Sequence, residues 1–229
     1  MKYKLDLHCH TSEISGCASE NLYDTVEKYI KHGYTSLAVT NHFKYENKSR
    51  LGESAPMDHK AYVDAHFDVI DEAAKAGEGR INIIPGIEMT LRENRNEYLV
   101  FGATREILYG IPEIFEETIE RVHDYLASHG CVVIQAHPMR WGMTLIRPEY
   151  VDGYEVLNTH KNHDSHNDLA LTLAKRIGGE GKIHTAGTDH HDGCQIPDTG
   201  ILTDEPVKTG EDLVRILKSG KYEIFEEKN

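Results

Sequence analysis

The sequence predicts one α/β domain, a barrel of parallel strands covered by helices, over its 229 residues. Strand-like and helix-like segments alternate along the chain, which favours a parallel sheet. The segment from Cys131 to Ala136 is almost continuously apolar, as expected for a strand that is buried on both faces. Histidine and acidic residues follow several strand-like segments, and a closed barrel gathers such residues at one mouth. No composition break divides the chain, so we treat residues 1–229 as a single domain.

The N-terminal half begins with a strand that leads into two histidines. Because side chains two residues apart point the same way in a strand, His8 and His10 should share one face. Asn21 can cap the helix that follows, and Gly33 can end it. The next segments are a strand over 36–40, a long polar loop over 44–56, a helix from Asp58 to Gly77, a strand over 81–88 broken at Pro85-Gly86, and a strand over 97–103.

The C-terminal half continues the alternation. The predicted elements are a helix through Ile114 and Leu126 closed by Gly130, strands over 131–136 and 153–157, a helix over 165–177 stopped by Gly178-Gly179, a strand over 182–187, a helix capped by Thr209, and a short strand over 222–225.

The composition restricts the function to a few classes. A net charge of −13 argues against binding to a nucleic acid polymer or to an anionic membrane. The absence of an apolar leader or a spanning run predicts a cytoplasmic protein. The four cysteines lack CxxC spacing and should be reduced thiols. The 15 histidines instead point to metal chemistry.

The candidate metal ligands lie at the predicted strand ends. Burying imidazoles and carboxylates at a barrel mouth is costly without a cation to compensate. A mixed histidine and carboxylate set suits Zn, Fe or Mn and does not select one of them. The residues of this set are His8, His10, His42, Glu88, His137, Asp189 and His191.

The same residues carry a resemblance to a known family. The chain resembles the PHP (polymerase and histidinol phosphatase) family in the motifs Asp6-Leu7-His8-Cys9-His10-Thr11, Thr40-Asn41-His42, Gly86-Ile87-Glu88, Ala136-His137-Pro138 and Gly187-Thr188-Asp189-His190-His191. The motifs occur in the family's order and span nearly the whole chain. The resemblance implies a distorted (β/α)7 TIM-like barrel, two to three divalent metal ions and phosphoester hydrolysis.

The resemblance also implies a distribution of ligands. His8, His10, Glu88 and Asp189 would hold one metal, Glu88 and His137 a second, and His42 and His191 a third. Two positions depart from the family, in which histidines are common. Cys17 is the nearest candidate for one, either as a ligand or as an inert small side chain, and Tyr98 stands near the other.

The resulting hypothesis is a phosphoesterase that hydrolyses a small phosphomonoester, such as histidinol phosphate or a nucleotide. Two metals sharing Glu88 would lie about 3.5–4 Å apart and supply a hydroxide for attack on phosphorus. Glu88, Asp189 and Arg140 are the predicted catalytic residues. Arg140 would bind the phosphate bidentately, unless it forms a structural ion pair. The alternatives are a phosphodiesterase, a hydrolase of C–N bonds, or a metal-binding module without activity. The sequence leaves the oligomeric state open.

Overall fold

The computed structural model describes residues 2–52, 54–177 and 181–227. Within these ranges the strands are β1 Tyr3–Asp6, β2 Ser36–Val39, β3 His42–Phe43, β4 Asn82–Thr90, β5 Glu97–Phe101, β6 Val132–Gln135, β7 Gly153–Asn158, β8 Ile183–Gly187, β9 Thr199–Thr203 and β10 Tyr222–Glu226. The helices are α1 Leu22–Lys31, α2 Tyr45–Leu51, α3 His59–Gly77, α4 Arg105–Tyr109, α5 Ile119–Ser128, α6 Asn167–Ile177 and α7 Gly210–Ser219. Two short 3-10 helices cover Ile114–Glu116 and Pro148–Tyr150.

The strands form one sheet in the order β10-β9-β1-β2-β4-β5-β6-β7-β8, with β3 paired to β4. The pairs β1–β2, β2–β4, β6–β7 and β7–β8 are parallel, whereas β5 runs antiparallel to both neighbours and β9 runs antiparallel to β1 and β10. A bridge between Cys9 and His190 joins the ends of β1 and β8. The sheet is therefore a nearly closed, distorted barrel, which confirms the predicted fold class.

Two apolar clusters hold the barrel together. One fills its interior with residues such as Leu5, Leu99 and Phe101, and α7 adds Leu213 and Ile216 to this cluster. The other lies between the sheet and the remaining helices. Gly102, which follows the last residue of β5, lies against Val214 and Gly210 of α7. Because β5 is antiparallel, this contact places α7 at the end of the barrel opposite to the carboxyl ends of the parallel strands. The end at the carboxyl ends of the parallel strands is therefore not covered by α7, and the polar residues lie there.

The predicted loop over 44–56 is partly wrong, because it contains α2. Asn47 is buried in this helix, and its side-chain amide donates to the carbonyls of Ile14 and His42. Ile14 lies 33 residues from Asn47 in the sequence, so the local polar composition did not reveal this contact or the helix.

The predicted break at Pro85-Gly86 is also absent, because β4 runs through it. Here β4 exchanges one parallel partner for another, from β2 at Pro85 to β3 at Glu88. A Cβ at Gly86 would lie 2.9 Å from Cγ2 of Thr40, which explains the glycine.

Other boundaries also differ from the predictions. The predicted helix through residues 114–126 is divided into a 3-10 helix and α5, because Thr118 caps α5 through the backbone N–H of Arg121. The sequence patterns did not indicate α4 or β9, and the predicted stop at Gly178-Gly179 lies outside the described residues. Among the described helices, none has the length and apolar character needed to cross a membrane.

Candidate functional site

A cavity of about 490 Å³ opens at the carboxyl ends of the parallel strands. The structure brings all of the predicted site residues to it, with His8 and His10 buried beneath. The residues that line the cavity are Cys17, Ser19, His42, Lys44, Glu88, Glu97, His137, Arg140, His160, Asn162, His163, Asp189, His191 and Asp192.

Hydrogen bonds determine which nitrogen of His8 and His10 carries a proton. Nδ1 of His8 lies 2.9 Å from a carboxylate oxygen of Glu155, so it must be the donor. Nδ1 of His10 lies 3.0 Å from Oγ of Ser15. The hydroxyl of Ser15 already donates to Oδ1 of Asn41, and it can therefore only accept from His10.

Both Nε2 atoms consequently point into the site without a proton in the neutral rings. They lie 3.1 Å apart, and an oxygen of Asp189 lies 3.4 Å from each. Either a second proton or a metal ion must occupy this space. In the absence of metal a proton is favoured: burial opposes it, but Asp189, Glu155 and Glu88 raise the pKa of His8 well above its usual value. The donor set therefore fits a cation.

Glu88 lies at the centre of the cluster. Its Oε1 is 3.1 Å from Nε2 of both His8 and His137, and its Oε2 is 2.8 Å from Nδ1 of His42. Burial favours the neutral acid, but His8 and His42 hold the pKa of Glu88 well below its usual range. Oε2 of Glu88 and Nδ1 of His42 are buried without a hydrogen bond of good geometry in the described structure. One carboxylate thus faces two groups of histidines, as a bridging ligand would.

Two of the cavity residues have a strained backbone. His137 and Asp189 have φ angles of 27° and 53°, in the left-handed region that non-glycine residues rarely adopt. The backbone N–H of His137 donates to Glu155, and that of Asp189 donates to the carbonyl of His8. The surrounding structure therefore holds both side chains toward the cavity at a cost in backbone energy.

A third group of ligands lies around His42, His191 and Cys17. The ring centroids of His42 and His191 are 4.4 and 4.2 Å from that of His10. Cys17 is exposed and lines the cavity. Loss of hydration raises the pKa of its thiol, but the neighbouring His191 and His42 outweigh this and lower it to about 5. A thiolate beside two imidazoles is a suitable partial coordination set for a borderline metal.

Glu97 is a candidate ligand that the sequence analysis missed. Its carboxylate lies 3.4 Å from Nε2 of His137 and 3.7 Å from Nδ1 of His42. Tyr98, which was compared with the family's histidine, instead packs in the core outside the barrel. Glu97 lies two residues before Leu99, which faces the barrel interior, so the period of two in a strand could have placed Glu97 on the same inner face.

Arg140 lies on one wall of the cavity and binds the protein with part of its guanidinium. Nη2 donates to Asp189 at 2.8 Å, to Asn158 at 2.9 Å and to Ser165 at 3.0 Å. Nη1 has no hydrogen-bond partner within the described ranges. The structural ion pair that the sequence left open is therefore present, and one nitrogen remains for an anion.

Glu155 is a second residue that the sequence analysis did not assign to the site. It is buried in β7 and accepts hydrogen bonds from Nδ1 of His8, the backbone N–H of His137 and the amide of Asn158. One carboxylate thus orients two candidate ligands. Its position inside an apolar strand gave no sign of these partners.

Comparison with known proteins identifies a domain family and a shared fold. The sequence profile described as PHP domain matches residues 6–183. A search of curated proteins finds no significant match to this chain.

Solved structures share the fold. A two-domain protein from Bacteroides vulgatus ATCC 8482, described as containing a predicted PHP-like metal-dependent phosphoesterase, has a TM-score of 0.67 and 13% identity, covering 99% of this chain and 65% of that chain. A putative metal-dependent phosphoesterase from Bifidobacterium adolescentis ATCC 15703 has a TM-score of 0.55 and 16% identity, and the match covers 94% of this chain and 96% of that chain. Endonuclease Q, solved with a 27-mer duplex carrying an abasic lesion, has a TM-score of 0.62 and 15% identity. The match covers 96% of this chain and 57% of that chain.

This chain therefore spans about two thirds of the two-domain protein and a little over half of endonuclease Q. At these sequence identities, the likeness to the solved structures shows a shared fold alone. The PHP domain profile, by contrast, matches most of the chain by sequence. The chain belongs to the PHP domain family.

Proposed function

We propose that the chain is a metal-dependent phosphoesterase, a hydrolase whose substrate is a small phosphomonoester such as histidinol phosphate or a nucleotide. Membership of the PHP domain family and phosphoesterases among the structural neighbours support this hydrolase prediction. The observation that carries it is the pair of imidazole nitrogens of His8 and His10, which face each other beside Glu88 and Asp189.

We assign the ligands to two or three divalent metal sites of Zn, Fe or Mn. His8, His10, Glu88 and Asp189 would hold the first metal, and Glu88 would connect it to a second held by His137. His42 and His191 would hold a third, completed by Cys17 or Glu97. The geometry supports this division, because the ligand atoms of His8, His10 and Asp189, of His8, Glu88 and His137, and of His10, His42 and His191 cluster within 4.8 Å in each set.

The chemistry follows from this donor set and from the wall of the cavity. Divalent ions in such a site polarise a phosphoryl oxygen and supply a nucleophile at neutral pH. Arg140 would donate from Nη1 to the phosphoryl oxygens while Nη2 holds Asp189. Lys44 also lines the cavity and adds positive charge. A cavity of about 490 Å³ suits a small ester.

The test is hydrolysis of p-nitrophenyl phosphate by protein that has been stripped of metal and then loaded with Zn, Mn or Fe. We expect turnover only after loading, and a preference for the monoester over bis-p-nitrophenyl phosphate. Because endonuclease Q is a structural neighbour, a DNA duplex with an abasic site belongs in the same assay. Preference for the diester or cleavage of DNA would replace the monoesterase proposal, and loading without any turnover would favour the metal-binding module.

A further inference from the structure

Two histidines that line the cavity, His160 and His163, have no role in the proposed metal sites, and His160 is the more deeply buried of the two. His160 is only 9% exposed and lies in the loop after β7, with its ring 5.0 Å from that of His191. Oδ1 of Asn158 accepts the backbone N–H of His160 at 3.1 Å and Nη2 of Arg140 at 2.9 Å. A single buried amide therefore fixes the backbone of His160 and the side chain of Arg140 on the same wall.

The loop also fixes the protonation of the His160 ring. The backbone N–H of Asn162 donates to Nδ1 of His160 at 3.1 Å, so Nδ1 must be the acceptor. The proton of the neutral ring is then on Nε2. This nitrogen has no hydrogen-bond partner among the described residues. It is not one of the buried unpartnered atoms, so it is accessible, and the residue lines the cavity.

This arrangement excludes a simple ligand role for His160. A metal on Nε2 would require the proton to move to Nδ1. The Nδ1–H group would then point at the backbone N–H of Asn162, and the hydrogen bond between them would be lost. What the ring offers is an N–H donor, and the natural acceptor in a phosphoesterase cavity is a phosphoryl oxygen.

We propose that Nε2–H of His160 binds a phosphoryl oxygen of the substrate, alongside the free Nη1 of Arg140. The inference rests on the proposed function and extends it by naming a substrate-binding residue. Nε2–H of His160 is a neutral donor and Nη1 of Arg140 is a cationic one. The side-chain amide of Asn158 holds both residues on the same wall of the cavity. His160 thus contributes to recognition of the phosphoryl group and leaves the metal content unchanged.

The experiment compares His160→Ala, His160→Gln and the control His166→Asn in metal-loaded protein. Glutamine places an amide N–H close to the position of Nε2, whereas alanine removes the donor. His166 lies in the same loop but does not line the cavity, and asparagine tolerates its φ of 47°. Three quantities are measured: metals per chain, the inhibition constant of inorganic phosphate, and kcat/KM for p-nitrophenyl phosphate.

We expect His160→Ala to weaken phosphate binding and to lower kcat/KM by about 10- to 100-fold with normal metal content. His160→Gln should stay within about threefold of wild type, as should His166→Asn. Loss of metal in His160→Ala, equal losses in the alanine and glutamine variants, or wild-type values in His160→Ala would each overturn the inference. If wild-type protein binds phosphate but hydrolyses no ester, the proposed function fails, and the phosphate affinities still decide the role of His160.

Discussion

Each of the two histidines at the base of the site has one nitrogen fixed by the protein and one directed at the proposed metal site. For His8 the fixed nitrogen is held by Glu155, and for His10 it is held by Ser15. A partner on the far nitrogen sets the tautomer and the orientation of a ligating imidazole, and a carboxylate also makes it more basic. Affinity for a metal should therefore depend on residues that never touch it.

Glu155→Gln tests this dependence. Glutamine keeps the size of the side chain but removes the charge that fixes Nδ1–H of His8, so zinc affinity should fall about 10- to 100-fold. Competition with a chelator of known affinity measures it. Glu20→Gln is the matched control, because Glu20 binds His190, which we assign to no metal. Equal zinc affinities in wild type and Glu155→Gln would show that the hydrogen bond between Glu155 and His8 does not influence metal binding.

Cys17 lies beside His42 and His191, where a thiolate could complete the third site. If it does, Cys17→Ser should lose about one metal per chain and Cys17→His should restore it, because serine is a poor ligand and histidine a good one. Elemental analysis of the three proteins gives the answer. An unchanged count in Cys17→Ser would leave Glu97 as the better candidate for that position.

Arg140→Ala should cost about 1.5–3 kcal/mol of transition-state binding, or one to two decades in kcat/KM, because charge-assisted hydrogen bonds are lost. The loss should be larger for p-nitrophenyl phosphate than for bis-p-nitrophenyl phosphate, since the monoester has three terminal oxygens. Parallel metal analysis is needed, because Arg140 also holds Asp189. An unchanged kcat/KM with both substrates would show that Arg140 binds Asp189 but does not bind the substrate.

At the scale of elements, the direction of β5 explains both a success and a failure of the sequence analysis. Strand ends located His42, Glu88, His137 and Asp189 because their strands are parallel and share one mouth. Glu97 begins its strand instead of ending it, and it reaches the same mouth only because β5 is antiparallel. Periodicity gives the faces of a strand but not its direction, so it could place Glu97 on the inner face with Leu99 but not at this mouth.

The packing of α3 on the sheet contains a buried histidine that links stability to pH. Burial lowers the pKa of His66 to about 4. An unfolded histidine has a pKa near 6.5, so between these values only the unfolded chain takes up the proton and stability falls as the pH is lowered. His66 should contribute up to about 3 kcal/mol to this loss.

His66→Gln removes the titrating group but can retain a donor to the carbonyl of Gly86. We expect urea unfolding of the metal-free protein to show a smaller loss of stability between pH 7.5 and 4.5 in this variant than in wild type. The exposed His129 provides the control as His129→Gln. Parallel stability curves for wild type and His66→Gln would contradict the assignment of a depressed pKa.

Across the whole molecule, a negatively charged protein gathers its candidate metal ligands at one mouth of the barrel. The net charge is −13, yet Lys44 and Arg140 line a cavity whose carboxylates face imidazoles. The fold, the family and the positions of the candidate ligands were predictable because each motif lies at or near the carboxyl end of a parallel strand. The orienting residues were not, since Glu155 is 147 residues from its partner His8 and only the folded barrel brings them together.

We propose that Glu88 and Asp189 hold divalent metals needed for phosphoester hydrolysis. The most direct measurement is the number of metal ions per chain, by mass spectrometry of the element, in wild type, Glu88→Gln and Asp189→Asn that share the same circular dichroism spectrum. Two to three metals are expected in wild type, with a clear loss of metal and no turnover in both variants, because each removes a charged ligand. Full metal content and near-normal hydrolysis in both variants would contradict the account.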